Sequence, residues 1–215
     1  MSFIYAIFEL YKNRADYFQE LFIQHIQLSF TAAGIAAVLG LCIGIAISGT
    51  KAQAPVTAIA NAIYTIPSIS LLGFLIPFSG IGSTTATIAL VIYGIMPVLR
   101  NTCSGLTTVN ADIIEAARGM GSTDTQILFF VKLPLASPSI LSGLRSMIVM
   151  TISLSGVSAF IGAGGLGAAV YRGITTNNAA FTVAGSLLIA AAAIITDFVF
   201  GFIEKHLTHT WRLSK

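Results

Sequence analysis

The polar interval at residues 112–138 carries the side chains of this chain that are best suited to binding a partner protein. Asp112 is expected to cap a short helix whose first turn holds Glu115, which places negative charge near the positive end of the helix dipole. Ala116 and Ala117 follow and keep one face of that helix narrow enough for close contact. This pattern is typical of a docking surface rather than of a catalytic site.

Further signals in the interval divide it into two helices. Gly119 and Gly121 predict the end of the first helix. Ser122 is expected to cap a second helix over residues 123–131, which Leu133-Pro134 then ends. The second helix also carries an apolar stripe of Ile127, Leu128 and Val131. Because a solvated loop needs neither caps nor such a stripe, we interpret the interval as a rigid knob that docks on another protein.

A second group of residues matches a nucleotide-binding pattern only as text. Gly162-x-Gly164-x-x-Gly167 has the spacing of the dinucleotide fingerprint, which requires a preceding β-strand within a βαβ unit. An apolar segment precedes it here, and no GxxxxGK[ST] sequence occurs, so nucleotide binding is not predicted. The glycines, Gly165 among them, indicate either a gate that lines a cavity or a tight turn.

Hydroxyl groups recur along one apolar segment, at Thr151, Ser153, Ser155 and Ser158. Such a stripe could line a translocation path. Hydroxyl groups in helices also bond to their own backbone, and the sequence leaves both interpretations open.

The remaining charged and histidine side chains predict no catalytic or metal centre. Arg145 and Asp197 lie just inside the ends of apolar segments, and we interpret them as a structural ion pair. His206 and His209 have no further ligands near them in the sequence, so a metal site is not predicted. Without paired catalytic residues at a workable spacing, the chain is not expected to be an enzyme.

Composition places these residues in a membrane protein. The chain is 55% apolar and only 9% charged, and its mean hydropathy is +0.88. A globular protein carries about a quarter charged residues. The excess of basic residues is small and forms no basic face, so nucleic-acid binding is excluded.

The predicted fold class is an all-α integral membrane protein with about five transmembrane helices. The membrane domain is expected over residues 26–203, with spans at about 26–48, 56–78, 84–100, 138–160 and 182–203. Small residues in the first span, including Gly40 and Gly44, favour close helix contact. Pro67 is expected to bend the second span beside protein or a cavity.

The segments outside the spans set the topology. Residues 1–25 predict a helix that lies at the membrane interface or packs on a neighbouring element. A cytoplasmic loop is expected over residues 103–137, an outer glycine-rich loop over 161–181 and a cytoplasmic tail over 204–215. With the polar interval inside, eight basic side chains lie on the cytoplasmic side and three outside, which predicts an external N-terminus and an internal C-terminus.

These motifs together resemble the permease subunits of ABC importers. Glu115-Ala116-Ala117, Gly121 and Val131-x-Leu133-Pro134 look like the EAA motif of that family, which usually has isoleucine in place of Val131. Residues 65–68, 92–102 and 160–167 are similar to permeases for glycine betaine, carnitine and choline. The resemblance covers nearly the whole chain and implies the type I, MetI-like fold.

The resemblance also implies partners. Residues 115–133 would form the coupling helix and its support, docking on an ABC ATPase dimer that holds ATP and Mg²⁺, so no cofactor is expected in this chain. A second permease subunit, identical or paralogous, and an extracytoplasmic solute-binding protein would complete the importer in the cell membrane. High-affinity recognition is expected on another protein, because Tyr64 and Tyr93 are too isolated in the sequence to form an aromatic cage.

Three other functions compete with a betaine importer. The same fold could import another small solute such as methionine. An ATP-independent channel predicts flux without nucleotide, and a secondary transporter predicts a mid-membrane acid and inverted repeats. In an importer, Pro67, Pro77, Pro97 and the glycines at 162–167 would permit bending and gating.

Overall fold

The computed structural model describes the backbone of residues 3–212 and the side chains of residues 3–207, and every regular element in that range is helical. The helices are, in order, α1 (Phe3–Asn13), α2 (Ala15–Ile47), α3 (Gln53–Tyr64), α4 (Ser68–Ser79), α5 (Ser83–Thr107), α6 (Ala111–Gly119), α7 (Asp124–Ile127), α8 (Leu133–Ser155), α9 (Gly167–Thr175) and α10 (Ala179–Arg212). A π-helical turn, Leu128–Lys132, joins α7 to α8, and a 3₁₀ turn, Val157–Ile161, follows α8.

Four helical segments of the described chain are long and apolar enough to cross a bilayer: α2, α5, the continuous run Asp124–Ser155, and α10. A fifth crossing is formed if α3 and α4 count as one span, since the two helices meet at a bend of 96°. Pro67 occupies the N-cap position of α4, immediately after the break. The predicted bend of the second span at Pro67 is therefore confirmed.

Helix α5 lies at the centre of the fold, packed against α2 on one side and α8 on another, while α10 packs against α8 and α9. Glycines allow the close approach of α2 and α5. A Cβ atom at Gly40 would lie 2.8 Å from Cβ of Val98, and one at Gly44 would lie 2.8 Å from Cβ of Thr102. The predicted role of small residues in helix contact is confirmed at both positions.

Several helices run past the ends that the prolines predicted. The third expected span, 84–100, continues to Thr107 with Pro97 inside it, because buried packing along α5 extends as far as Leu106. Pro77 likewise lies inside α4. Proline removes one backbone donor, and the packing of these helices outweighs that loss.

The fourth expected span, 138–160, begins earlier and ends earlier, at Leu133 and Ser155. Leu133-Pro134 therefore starts a helix instead of ending one, which corrects the prediction. Pro134 lies in the first turn of α8, where a missing N–H is tolerated. The π-helical turn carries the chain into α8 without interruption.

The N-terminal segment forms two helices rather than one, since α1 ends at Asn13 and α2 begins at Ala15. Helix α1 packs against α10, and the Tyr11 hydroxyl donates a hydrogen bond of 2.7 Å to the carbonyl oxygen of Ala184. At the other terminus the expected tail is helical as far as Arg212. The side chain of His209 and residues 213–215 lie outside the described part.

Candidate functional site

The first helix of the knob, α6, is capped by Asn110 and not by Asp112 as predicted. Asn110 occupies the N-cap position, and its side-chain oxygen accepts a hydrogen bond of 2.9 Å from the backbone N–H of Asp112. Asp112 therefore lies in the first turn, not at the cap, and Glu115 follows one turn later. Both carboxylates are exposed, as is Ala116. Ala117 is buried.

Gly121 closes α6 with a Schellman motif. Its N–H donates to the carbonyl oxygen of Arg118 at 2.9 Å, and the N–H of Ser122 donates to that of Ala117 at 3.1 Å. This motif needs a left-handed residue, and Gly121 has φ +88°. Gly119 remains within the helix. The predicted break is thus at Gly121.

Helix α7 begins with a capping box at Thr123, one residue later than predicted. The Thr123 side chain accepts from the backbone N–H of Gln126 at 3.3 Å, and the Gln126 side chain accepts from the N–H of Thr123 at 2.8 Å. Arg118 then bridges α6 to α7 through a 2.9 Å contact with Asp124. The capped ends define where α6 stops and α7 starts, and the ion pair spans the corner between the two helices at the surface.

The knob exposes apolar surface. Met120 is 81% exposed, Phe130 78% and Phe129 57%. Met120 and Phe130 border a hollow of about 330 Å³. Its remaining lining residues are Gly121, Ser122, Gln126 and Val131. A mixed apolar and polar hollow beside exposed large side chains is the usual composition of a protein interface.

Val131, Leu133 and Pro134 are half-buried where the knob enters α8. From there α8 runs 23 residues to Ser155, and the 3₁₀ turn Val157–Ile161 connects it to the glycine-rich turn. At 1.5 Å per residue the two features lie about 35 Å apart. One helix therefore connects the knob to the far end of the fold.

The glycine-rich turn at residues 162–167 requires glycine for two separate reasons. Gly162, Gly164 and Gly165 have φ of +78°, +79° and +73°, a region that favours glycine. Gly167 has an ordinary backbone, but a Cβ atom there would lie 1.9 Å from the carbonyl oxygen of Gly156. A 3₁₀ turn precedes the glycines where the dinucleotide fingerprint needs a strand.

A buried polar cluster beneath this turn had not been anticipated. His25 and Ser29 of α2 and Ser155 of α8 are fully buried. Nε2 of His25 lies 3.0 Å from both the Ile152 carbonyl oxygen and the Ser155 hydroxyl oxygen, and that hydroxyl lies 2.8 Å from Oγ of Ser29. In the sequence, His25 and Ser29 are four residues apart. This spacing puts both side chains on one face of a helix and could have predicted that they lie together.

The turn itself is held by α2. The backbone N–H of Gly165 donates to Oε1 of Gln24 at 3.1 Å, and Gly165 packs on His25. The N–H of Gly82 donates to the carbonyl oxygen of Ile161 at 2.9 Å, which ties the turn to the start of α5. These contacts connect three helices at one end of the fold.

The predicted hydroxyl stripe mostly bonds to its own helix. Thr151, Ser153 and Ser155 each donate to a backbone carbonyl three or four residues earlier. Ser153 is exposed, whereas Ser158 is 1% exposed and its hydroxyl has no hydrogen-bond partner among the described residues. The stripe therefore does not form one continuous surface.

The bend between α3 and α4 brings two aromatic residues together. The rings of Tyr64 and Tyr93 lie 6.0 Å apart, edge to face at 71°. The Tyr93 hydroxyl donates to the carbonyl oxygen of Ile66, a group that the break at Pro67 leaves without a helical partner. The prediction that these tyrosines are isolated was wrong, because the bend, rather than sequence proximity, places them in contact.

Arg145 and Asp197 form the predicted ion pair, with N–O distances of 2.6 and 2.7 Å. Glu204 adds a third contact of 3.1 Å. The pair connects α8 to α10, so the structural role is confirmed. Within the described residues, no cluster of His, Cys, Asp or Glu could hold a metal ion.

The fold and these features agree with known proteins. The chain is 34% identical over 200 residues to the glycine betaine/carnitine/choline transport system permease protein OpuCD of Bacillus subtilis (strain 168), covering 92% of this chain and 87% of that protein. It is 41% identical over 164 residues to the ergothioneine transport permease/ergothioneine binding protein EgtU of Helicobacter pylori (strain G27), covering 76% of this chain and 30% of that longer protein.

A solved structure shares the fold over most of the length of both chains. A chain of the MetNI methionine ABC transporter, in inward facing conformations, superimposes with a TM-score of 0.78 at 26% identity, over 86% of this chain and 93% of that one. The resemblance predicted from the EAA-like interval is confirmed. Residues 36–209 match the family model for the binding-protein-dependent transport system inner membrane component, and the chain belongs to that family of ABC-transporter permeases.

Proposed function

We propose that this chain is the transmembrane subunit of an ATP-driven importer for solutes that carry a quaternary ammonium group. The observation that carries the proposal is the knob of α6 and α7, whose helix runs without a break into the membrane span α8. A surface that must transmit force to a span needs such a rigid connection. Family membership supports the same role.

In this proposal the knob docks on a separate ABC ATPase dimer that binds ATP and Mg²⁺. Closure of that dimer moves the knob, and α8 transmits the movement to the glycine-rich turn. The excess of basic residues on the knob side supports an orientation with the knob and the C-terminus in the cytoplasm and the N-terminus outside. This orientation requires five crossings, with α3 and α4 counted as one.

Two further partners complete the importer. No described residue of α3 is buried within the chain, which leaves this helix free to contact a second permease subunit, identical or paralogous. An extracytoplasmic solute-binding protein delivers the solute on the side of the glycine-rich turn. The turn acts there as the outer gate, since three left-handed glycines concentrate backbone freedom at one point.

The substrate class rests on what the similar proteins transport according to their names. Glycine betaine, carnitine, choline and ergothioneine all carry a trimethylammonium group. A methionine permease shares the fold at 26% identity, which is lower than the identity to the ammonium-solute permeases. Chemistry common to the more similar relatives therefore favours the quaternary ammonium group over methionine.

The coupling role can be tested at Gly121. Valine at this left-handed position costs about 1–2 kcal/mol or more in backbone strain and adds bulk at the docking surface. We expect Gly121→Val to abolish ATP-driven uptake in reconstituted vesicles while the protein still inserts and unfolds cooperatively. Gly34→Ala is the control, because Gly34 lies in α2, outside the knob, and nothing lies within 4 Å of a Cβ atom there.

Asparagine adopts left-handed backbone more readily than other residues with a side chain. Gly121→Asn should therefore retain more uptake than Gly121→Val. Normal uptake by the valine variant would rule out the docking role. Flux that persists without ATP in the wild type would instead indicate a channel.

The substrate class needs its own measurement. Vesicles that contain this chain with its ATPase and binding protein should take up labelled glycine betaine, carnitine or choline only when ATP is present. Uptake of methionine in place of all quaternary ammonium solutes would overturn the substrate assignment and leave the permease role intact.

A further inference from the structure

The tyrosine pair at the bend is held in a defined orientation. Tyr64 is the last residue of α3, and its hydroxyl donates to Sδ of Met150 on α8 at 3.2 Å. Tyr93 is anchored by its bond to the Ile66 carbonyl oxygen. Each ring is thus fixed at its hydroxyl end and supported by the other ring, so the pair presents one preformed aromatic surface.

Only one member of the pair is accessible. Tyr64 is 42% exposed, whereas Tyr93 is 5% exposed. Tyr64 projects from α3, a helix with no buried residue, beside a helix start that has no side-chain cap. Unpaired backbone at membrane depth is tolerated only where it meets protein or water. The exposed face of Tyr64 is therefore available to a solute that passes between this chain and a second permease subunit.

The segment of the chain that carries the pair is free of charged residues. From Ala52 to Leu99 the sequence contains no Asp, Glu, Lys or Arg. A cationic group that passes this bend meets neither a competing positive charge nor a carboxylate that would retain it. The face of an aromatic ring is then the strongest attraction available to a quaternary ammonium group, and it is weak enough to permit release.

A second observation marks the same place. Tyr93 lines a small cavity of about 10 Å³ together with Ser68, Leu154 and Ser158. The buried hydroxyl of Ser158 borders this cavity and has no partner among the described residues. A cavity of this size accommodates one water molecule. A water molecule in this cavity would pair the Ser158 hydroxyl.

We propose that Tyr64, supported by Tyr93, is a cation–π contact for the ammonium group of the solute at the bend between α3 and α4. The inference rests on the proposed function and adds a specificity-determining residue within the permease itself. It assigns part of the selection for quaternary ammonium solutes to this chain, in addition to the binding protein.

The test compares Tyr64→Phe and Tyr64→Leu in the complete importer, reconstituted in vesicles with labelled glycine betaine. Phenylalanine keeps the aromatic face and loses the bond to Met150, whereas leucine loses both. We expect Tyr64→Phe to transport close to the wild-type rate and Tyr64→Leu to lose about 5-fold to 30-fold. Phe74→Leu is the control, since Phe74 is an exposed aromatic residue on the next helix.

The outcomes separate the two proposals. Equal loss in Tyr64→Phe and Tyr64→Leu would assign Tyr64 a structural role through Met150 and overturn the inference, as would wild-type transport by Tyr64→Leu. In both cases the importer itself remains active. A wild-type complex that hydrolyses ATP but moves no quaternary ammonium solute would overturn the proposed function and this site together.

Discussion

Arg145 donates from Nε to Oδ1 of Asp197 at 2.6 Å and from Nη2 to Oδ2 at 2.7 Å. This two-pronged geometry gives direction as well as attraction. Gly201 makes room for it, because a Cβ atom there would lie 2.9 Å from the guanidinium group. Neither α8 nor α10 can therefore shift along the other without breaking this contact.

Removal of the charge on Asp197 should loosen this junction. In Asp197→Asn the guanidinium group keeps its contact with Glu204 but loses the negative charge and one of the two acceptor oxygens at position 197. We expect a lower midpoint of thermal unfolding in detergent and slower uptake. Asp124→Asn is the matched control for the unfolding measurement, because its ion pair with Arg118 lies at the surface with 87% of the Asp124 side chain exposed. Equal shifts for the two variants would contradict a special role for Asp197.

The contact between α2 and α5 can be tested with two glycines on one helix. Gly40→Ala places a methyl group 2.8 Å from Cβ of Val98 and 3.1 Å from the Ile95 carbonyl oxygen. Overpacking of this kind costs about 1–3 kcal/mol. Gly34→Ala has open space around it and gains up to about 1 kcal/mol of helix propensity. Thermal unfolding should rank Gly40→Ala below the wild type and Gly34→Ala at or above it.

The buried cluster at His25 should contribute stability. His25→Leu removes the contacts to Ser155 and to the Ile152 carbonyl oxygen, and the loss of buried hydrogen bonds costs about 1–3 kcal/mol. Gln27→Leu is the control, since Gln27 is exposed on the same helix. Thermal unfolding checks the difference. A His25→Leu variant as stable as the control would show that the cluster is not important for stability.

The exposed apolar surface of the knob gives a separate prediction. Phe130→Glu puts a charge on a side chain that is 78% exposed, so folding should be unaffected. If the ATPase covers this side chain, the buried charge should weaken assembly by a factor of ten or more, measured by co-purification of the complex. Phe130→Leu keeps the apolar character and should assemble. Equal assembly of both variants would exclude Phe130 from the interface.

The sequence was sufficient where a local pattern has a local cause. The glycines at 40 and 44, the bend at Pro67 and the Arg145–Asp197 pair follow from residue size, a missing N–H and opposite charge. Helix ends were less predictable. Pro97 suggested the end of a helix, but tertiary packing lets α5 continue to Thr107. The cap of α6 is Asn110 instead of Asp112.

Contacts between distant segments were the hardest to foresee. His25 meets Ser155 across 130 positions of the chain, and Tyr64 meets Tyr93 only because the helix between them turns by 96°. A single sequence gives the spacing within each helix but not the relative rotation of two helices. Sequence motifs therefore predict the knob, whereas the contacts of His25 and Tyr64 depend on how the helices pack.

The π-helical turn at Leu128–Lys132 changes the rotation of the knob about the helix axis relative to α8. The N–H of Leu133 bonds to the carbonyl oxygen of Leu128, five residues back, so the turn holds one residue more than an α-helical turn. One residue corresponds to about 100° of rotation. The knob therefore points about 100° away from the direction that an uninterrupted α-helix would give it. A chimera that exchanges knobs between permeases must carry this turn with the knob, or the transplanted surface will point away from its partner.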